Sequence, residues 1–480
     1  MNFSTISRTL GFIALLLGTS LLIPTAISAV LGGPDLVALG VSALISAAVG
    51  GGLIFLGGKE EMGVRDGFAI VTATWLLISL LGALPYWLSG ILPSYTDAFF
   101  EAMSGFSTTG ATVVRNIEAL PEGILFWRSF TQWLGGMGII VLTAALLPLF
   151  GVGGLQLLNA EAPGPTFERL APRLQETAKL LWGVYVLLSA AEAVLLMAGG
   201  MPPFEAVLHA FTTMATGGFS PKNASIAAYP SPYIQWVIIV FMGLAGTSFS
   251  LHYFALRRRS ASTYWKNTEF RFYLAMIVSA TAVTTLVILW RAPEGVERAI
   301  RDAAFQVVSI ITGTGFVTAD FEHWPIFLQT LLLFLMFFGG CSGSTGGGMK
   351  HMRLFLLFRQ SAAQMVKIVH PRAVKELSLG SQIVTEEVIA GIQSFFFLYL
   401  TLWVVGSLAL TALGLDIVTG ISAAASALSN VGPALGAVGP TDNYAGLPDA
   451  AKWLLTALML MGRLEIFPVL VLLRRETWRR

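Results

Sequence analysis

Apolar positions in this chain come in long unbroken runs, without the alternation of period 2 or 3.6 that a water-soluble fold needs. Ten of the runs reach the roughly 20 residues that cross about 30 Å of hydrocarbon. They occupy residues 9–31, 36–57, 67–91, 124–150, 179–200, 232–256, 272–291, 324–358, 387–413 and 449–473. Four of the connections carry a second apolar segment of about a dozen residues, too short to span, so it predicts a re-entrant helix that enters the membrane and turns back. Each ends in glycine-rich sequence: "SGFSTTGATV" with Gly110, "TTMATGGFSP" with Gly218, "SIITGTGFVT" with Gly315 and "ALSNVGPALG" with Gly432. The spacing is roughly one hundred residues each time, the signature of an internal repeat. The expected architecture is therefore an all-α polytopic membrane protein. Residues 1–66 form two extra spans, and four pseudo-repeats of span, re-entrant loop and span follow at 67–178, 179–271, 272–386 and 387–480 around one central pore.

Composition agrees with this and excludes a soluble globular protein, since 55% of residues are hydrophobic and only 12% charged. The first run follows a lone Arg8, but it is too long for a signal peptide and lacks a small-residue cleavage pattern, so it is expected to be retained. With Cys341 as the single cysteine, no intrachain disulfide can form. The net charge of +2 becomes informative only when divided by side. Placing both termini in the cytoplasm puts most of the 29 lysines and arginines inside, including "RRR" at 257–259 and the four arginines after Leu473, as the positive-inside rule asks. The opposite mouth then carries more acids than bases and should attract cations.

A turn at membrane depth leaves backbone carbonyls unpaired, which is tolerated only where they are buried in protein or line a water-filled path. Facing a pore, such carbonyls replace the hydration shell of a cation. Glycine suits these turns because it accepts backbone angles that a Cβ forbids. A single glycine-rich turn reads equally well as the cap of a buried helix. Four in register around one axis read as a ring of oxygens, a cation filter.

The order of motifs resembles the membrane subunit of the Trk/Ktr/HKT potassium-transporter superfamily, and most closely its bacterial Trk type, which has two extra N-terminal spans. The resemblance rests on "STTGAT" at 107–112, "AEAPGP" at 160–165, "ETAKLLW" at 176–182 and "GCSGSTGGGMK" at 340–350, and it covers essentially the whole chain. It implies potassium uptake through a gated filter in the bacterial inner membrane. The filter backbone would be Thr108, Thr109 and Gly110; Thr216, Gly217 and Gly218; Gly313, Thr314 and Gly315; and Asn430, Val431 and Gly432. Glycine at all four filter positions implies potassium, because members with serine at the first position resemble sodium-permeable transporters. The fourth loop lacks the threonine of the others, so the ring is expected to be unequal. The resemblance further implies a homodimer, cytoplasmic nucleotide-binding regulatory subunits of the RCK type (TrkA-like), contact with lipid but not nucleic acid, and no cofactor in this chain beyond bound K+.

Polar residues within the runs complete the picture. The eighth run is interrupted by "GGCSGSTGGG" at 339–348, whose small residues make a poor helix. It reads either as a hinge or, by the resemblance, as an intramembrane loop obstructing the pore, with Gly339, Gly340, Gly343, Gly346, Gly347, Gly348 and Lys350 as gating candidates. Gly343 and Gly348 have nucleotide-loop spacing, but Met349 stands where that motif needs lysine. Lys350 also has the length to snorkel to the interface. Arg463, inside the last run, must face protein or water, and the resemblance sets it against the loop. Glu465 is expected to find a structural partner away from Arg463's face of the helix. Glu192 reads either as an ion or proton relay or as a hydrogen-bonded packing residue. The five histidines lack metal-ligand spacing, and no catalytic constellation is visible, so an enzyme is not expected.

Overall fold

A computed structural model describes residues 1–58, 63–146, 170–291, 295–371, 377–379 and 382–478. The motif at 160–165 and the end of the fourth apolar run lie outside the described residues. The apolar runs become long helices. α1 (Phe3–Leu31) and α2 (Leu36–Leu56) form a hairpin. Its helices touch through small residues, since a Cβ on Gly11 would lie 2.7 Å from the carbonyl of Gly50, the close backbone approach typical of helix pairs in lipid.

The rest of the chain repeats one pattern four times. In the first unit α3 (Val64–Gly82), continued by α4 (Leu84–Leu88), leads to a short α5 (Tyr95–Phe106) and out through α6 (Glu122–Leu146). In the second, α7 (Leu170–Ala198) precedes the short α8 (Pro203–Met214), then α9 (Pro232–Ala245), α10 (Phe249–Arg258) and α11 (Ser262–Lys266). The third has α12 (Thr268–Arg291), the short α13 (Val296–Thr312), α14 (Ile326–Leu335) and α15 (His351–Val369). The fourth has α16 (Glu386–Ala412), the short α17 (Ile417–Ser429), α18 (Asp449–Arg463), α19 (Phe467–Leu473) and α20 (Arg475–Trp478). The one strand feature among the described residues is an antiparallel pair, Ser378–Leu379 with Gln382–Ile383.

Each short helix packs between the helices before and after it in sequence. In addition α6 packs on α8, α9 on α13 and α18 on α5, so the units follow one another around a centre and the fourth meets the first. The short helices are the interior. Every residue of α5 from Ala98 to Phe106 is buried, as is every residue of α17 from Ser422 to Ser429. Six of the long helices are peripheral, with only 22% to 44% of the residues in their most apolar stretches buried, so much of their apolar surface faces outward as lipid-facing helices do.

Besides the interrupted eighth run, two of the ten runs are not continuous helices. Among the described residues, six helices are long and apolar enough to cross a membrane, and up to eight spans result if each of two bent pairs counts as one. The run at 232–256 breaks between α9 and α10 with a bend of 100°, and the run at 449–473 breaks between α18 and α19 with a bend of 117°. Both breaks have physical causes. At the first, the carbonyls of Ala245 and Gly246 accept bonds from Thr345 Oγ1 (3.2 Å) and the Cys341 N–H (2.7 Å), which replace the helix's own. At the second, Pro468 has no N–H to offer and its ring would clash with a helical Leu464. Glu465 and Ile466 take left-handed angles there, φ 56° and 66°.

Candidate functional site

The short helices all end in the same way. The N–H groups of Thr109, Gly217, Thr314 and Val431 reach back to the carbonyls of Ser104, Thr212, Ser309 and Ser426 at 2.9, 2.8, 2.9 and 3.0 Å. This six-to-one bond closes a helix through a left-handed residue. That residue is Thr108, Thr216, Gly313 or Asn430, with φ of 53°, 52°, 77° and 55°. Only the third loop has glycine there. The other three hold a side chain in a region costing about 1–2 kcal/mol, which the surrounding packing must impose. Two residues on, Gly110, Gly218, Gly315 and Gly432 have φ of 83°, 78°, 78° and 99°, so the same alternation recurs four times.

The four turns close a ring. A Cβ on Gly110 would fall under 3.0 Å from the carbonyl oxygen of Gly217, one on Gly218 from that of Thr314, and one on Gly315 from that of Val431. One on Gly432 would lie 2.5 Å from the carbonyl of Thr109. Each glycine thus abuts the peptide oxygen of the next unit in order, and the fourth returns to the first. The four glycines also line a single cleft with Thr112, Ser220, Val317, Pro433, Asp442 and Tyr444.

Side chains that sequence reading passed over hold this ring. Gln132 donates from Nε2 to the Gly217 carbonyl (2.6 Å) and accepts the Phe219 N–H at Oε1 (3.0 Å). The Tyr444 hydroxyl donates to the Gly432 carbonyl (2.7 Å). Asn430 Nδ2 links the fourth loop to the first through Thr109 Oγ1 (3.0 Å) and also reaches the Met459 carbonyl (2.9 Å). Arg128, 2% exposed, pairs with the fully buried Glu101 at 2.7 Å and donates to the Ser220 carbonyl (2.9 Å), with its guanidinium 3.7 Å from the centre of the Phe219 ring. Glu101 in turn accepts the Val113 N–H (2.9 Å). Loops 1 and 2 are therefore cross-braced beside the cleft. Arg128 stood inside an apolar run, and a charge there was the available signal. Lys222, the other cation lining the cleft, pairs with Glu205 at 3.0 Å, so neither cation faces the cleft without a carboxylate partner.

The glycine stretch 339–348 lies against the inner ends of the short helices. A Cβ on Gly346 would meet the Thr312 carbonyl at 2.6 Å, and one on Gly347 would meet the Asn430 side chain at 3.0 Å. Gly339 and Gly348 are in mutual contact, with φ of 70° and 71°, so the loop folds back on itself and side chains would part its two arms. Thr345 Oγ1 donates to the Met214 carbonyl at 3.0 Å. Arg463, buried at the end of α18, donates from Nη1 to the Thr345 carbonyl (2.7 Å) and from Nη2 to the Gly135 carbonyl of α6 (3.1 Å). A guanidinium has donors to spare for carbonyls that an unwound segment leaves open.

Lys350 does not snorkel. It is 7% exposed, and its Nζ turns inward onto the Gly346 carbonyl, because its left-handed φ of 68° aims the chain back under the loop. Glu465 pairs with Arg353 at 2.5 Å, which joins the break in the last run to α15. Glu192 is buried on α7 beside Thr213, and neither of its oxygens makes a hydrogen bond of standard geometry.

Comparison with known proteins agrees with this architecture. Residues 40–478 match the TrkH family, described as cation transport proteins. The Trk system potassium uptake protein TrkH of Escherichia coli strain K12 is 41% identical over 485 residues, covering 100% of both chains. The protein of the same name from Vibrio parahaemolyticus is 44% identical over 429 residues, 88% of this chain and 87% of the relative. A crystal structure of the potassium transporter TrkH from Vibrio parahaemolyticus superposes with a TM-score of 0.93 at 38% identity, covering 100% of each chain. A family match across nearly the whole sequence and a shared fold at this identity lead to one conclusion: the chain belongs to the TrkH family of membrane cation transport proteins, not to a family of enzymes.

Proposed function

We propose that this chain takes up potassium through a gated filter whose four quarters are Thr108–Gly110, Thr216–Gly218, Gly313–Gly315 and Asn430–Gly432. The observation that carries the reading is the closed ring, in which every filter glycine abuts the carbonyl oxygen of the next loop. Peptide oxygens gathered in this way are hard ligands that substitute for water around an alkali cation. The identity of the ion comes from the relatives, which are named as potassium uptake proteins. Residues 67–178, 179–271, 272–386 and 387–480 are the four repeats around that filter.

The loop 339–348 is the gate in this reading, held across the inner side of the filter by Arg463 and by Lys350. Its support is the contact with Thr312 and Asn430 and the two guanidinium bonds described above. The chain acts in the inner membrane with both termini in the cytoplasm, as a homodimer carrying an RCK-type nucleotide-binding ring. The basic inner loops at 257–271 and 350–375 are the docking candidates.

Rubidium uptake into proteoliposomes containing this chain alone, with sodium and pH gradients set independently, tests the function. Uptake that persists with neither gradient is expected of a filter. Uptake that ceases without one of them would replace this reading with a coupled carrier on the same scaffold.

A further inference from the structure

The peripheral segment 249–269 is fastened to the intramembrane loop at both of its ends. At its start the N–H of Phe249 donates to the Gly343 carbonyl at 3.1 Å. At its end Glu269, 3% exposed, accepts at Oε1 the N–H of Ser342 (2.6 Å) and, beyond the loop, that of Met352 in the first turn of α15 (3.1 Å). Capping α15 accounts for the bond to Met352. It does not account for the bond to Ser342, which lies in the loop itself. Adjacent loop residues 342 and 343 are thus gripped from one segment, while Arg463 grips Thr345 from another helix. The segment is itself braced, because His252 stands 2.8 Å from the Tyr264 hydroxyl through Nδ1 and 2.9 Å from the Leu244 carbonyl through Nε2.

We propose that Glu269 is a positioning residue of the gate: its carboxylate fastens the intramembrane loop, at Ser342, and the start of α15 beyond it to segment 249–269, so that displacing this segment moves the loop. The inference rests on the reading of 339–348 as the obstruction. A carboxylate accepting two backbone N–H groups makes the stronger, charge-assisted kind of hydrogen bond. Removing it leaves two donors, the buried N–H of Met352 and the half-buried N–H of Ser342, without that acceptor and favours the displaced loop.

The chain supplies its own reporter. Cys341, its single cysteine, is 1% exposed and immediately precedes Ser342. The test uses the full chain in proteoliposomes and follows N-ethylmaleimide labelling of Cys341, rubidium flux and the rubidium-to-sodium flux ratio. For Glu269→Ala, labelling and flux should each rise about tenfold, equivalent to about 1.4 kcal/mol, with the ion ratio unchanged. Glu269→Gln, which keeps an acceptor but loses the charge, should give a smaller rise in both. Parental labelling in Glu269→Ala, or in Glu269→Gln if the alanine variant does not insert, overturns the proposal. So does a changed ion ratio, which would mean a loosened filter. Faster labelling with parental flux would uphold the fastening by Glu269 and reject the gate on which the coupling rests.

Discussion

Replacing Gly110 with serine perturbs the ring at one defined contact. The new Cβ would overlap the Gly217 carbonyl oxygen, and restoring ordinary van der Waals contact requires a retreat of about 1 Å. That oxygen is not free to move, because Gln132 Nε2 holds it at 2.6 Å. Either this bond stretches, at about 1 kcal/mol, or the first loop shifts. Serine at φ 83° adds about 1–2 kcal/mol of backbone strain in either case. If half of a total near 3 kcal/mol appears as weaker coordination of potassium relative to sodium, the permeability ratio falls about tenfold. In a bi-ionic reversal-potential measurement that is a shift of about 59 mV for a monovalent ion. Gly200→Ser is the control. Its φ is 89°, but a Cβ there meets nothing within 4 Å, so it carries the backbone strain without the collision and should leave the reversal potential unchanged. A conducting Gly110→Ser channel with the parental reversal potential would refute the assignment of this loop to the filter.

Arg463→Ala, and separately a shortening within 343–348, should raise rubidium flux through the isolated chain by at least about tenfold, the value of one charge-assisted bond at the low end. Ion preference should stay parental, and normal insertion with parental flux in both would make the loop a hinge. Gln132→Leu leaves the Phe219 N–H and the Gly217 carbonyl without their side-chain partner, which should cost about 1–3 kcal/mol and lower the Tm while also lowering potassium preference; a change in Tm alone would limit Gln132 to packing. Arg128→Met strands the buried Glu101 carboxylate, and breaking one side of such a pair costs about 3–5 kcal/mol, so unfolding should shift strongly, whereas the double variant with Glu101→Leu should recover much of the loss. Burial pushes the Glu322 carboxyl above its ordinary range, while its bond to the Gly436 N–H (2.5 Å) works the other way. The folded state therefore holds this proton more tightly, so its contribution to stability is present at acid pH and is lost as pH rises through the raised pKa. Glu322→Gln should flatten that part of the Tm-against-pH curve.

The apolar runs alone determined that this is an all-helical membrane protein, because crossing hydrocarbon demands about 20 apolar residues and internal hydrogen bonding, and no other solution satisfies both. The four short segments were legible for the same reason, and their glycine registers at 110, 218, 315 and 432 coincide with the left-handed positions in the structure. Tertiary structure decided what lies between distant residues. Hydropathy averages over a window, so it ran straight through both breaks; Pro468 signalled one, but the other depends on carbonyls captured by a loop about one hundred residues away. Polar braces are invisible for a related reason. Gln132, Glu101, Arg128 and Tyr444 look like stray polar residues until the ring brings together the oxygens and N–H groups they satisfy. Lys350 stayed between two readings for the same reason, since its length permits snorkelling and only its left-handed backbone turns it inward. Local chemistry sets which backbone angles and depths a residue tolerates, whereas the partner of a buried polar group is chosen by packing across sequence separations that no local pattern encodes.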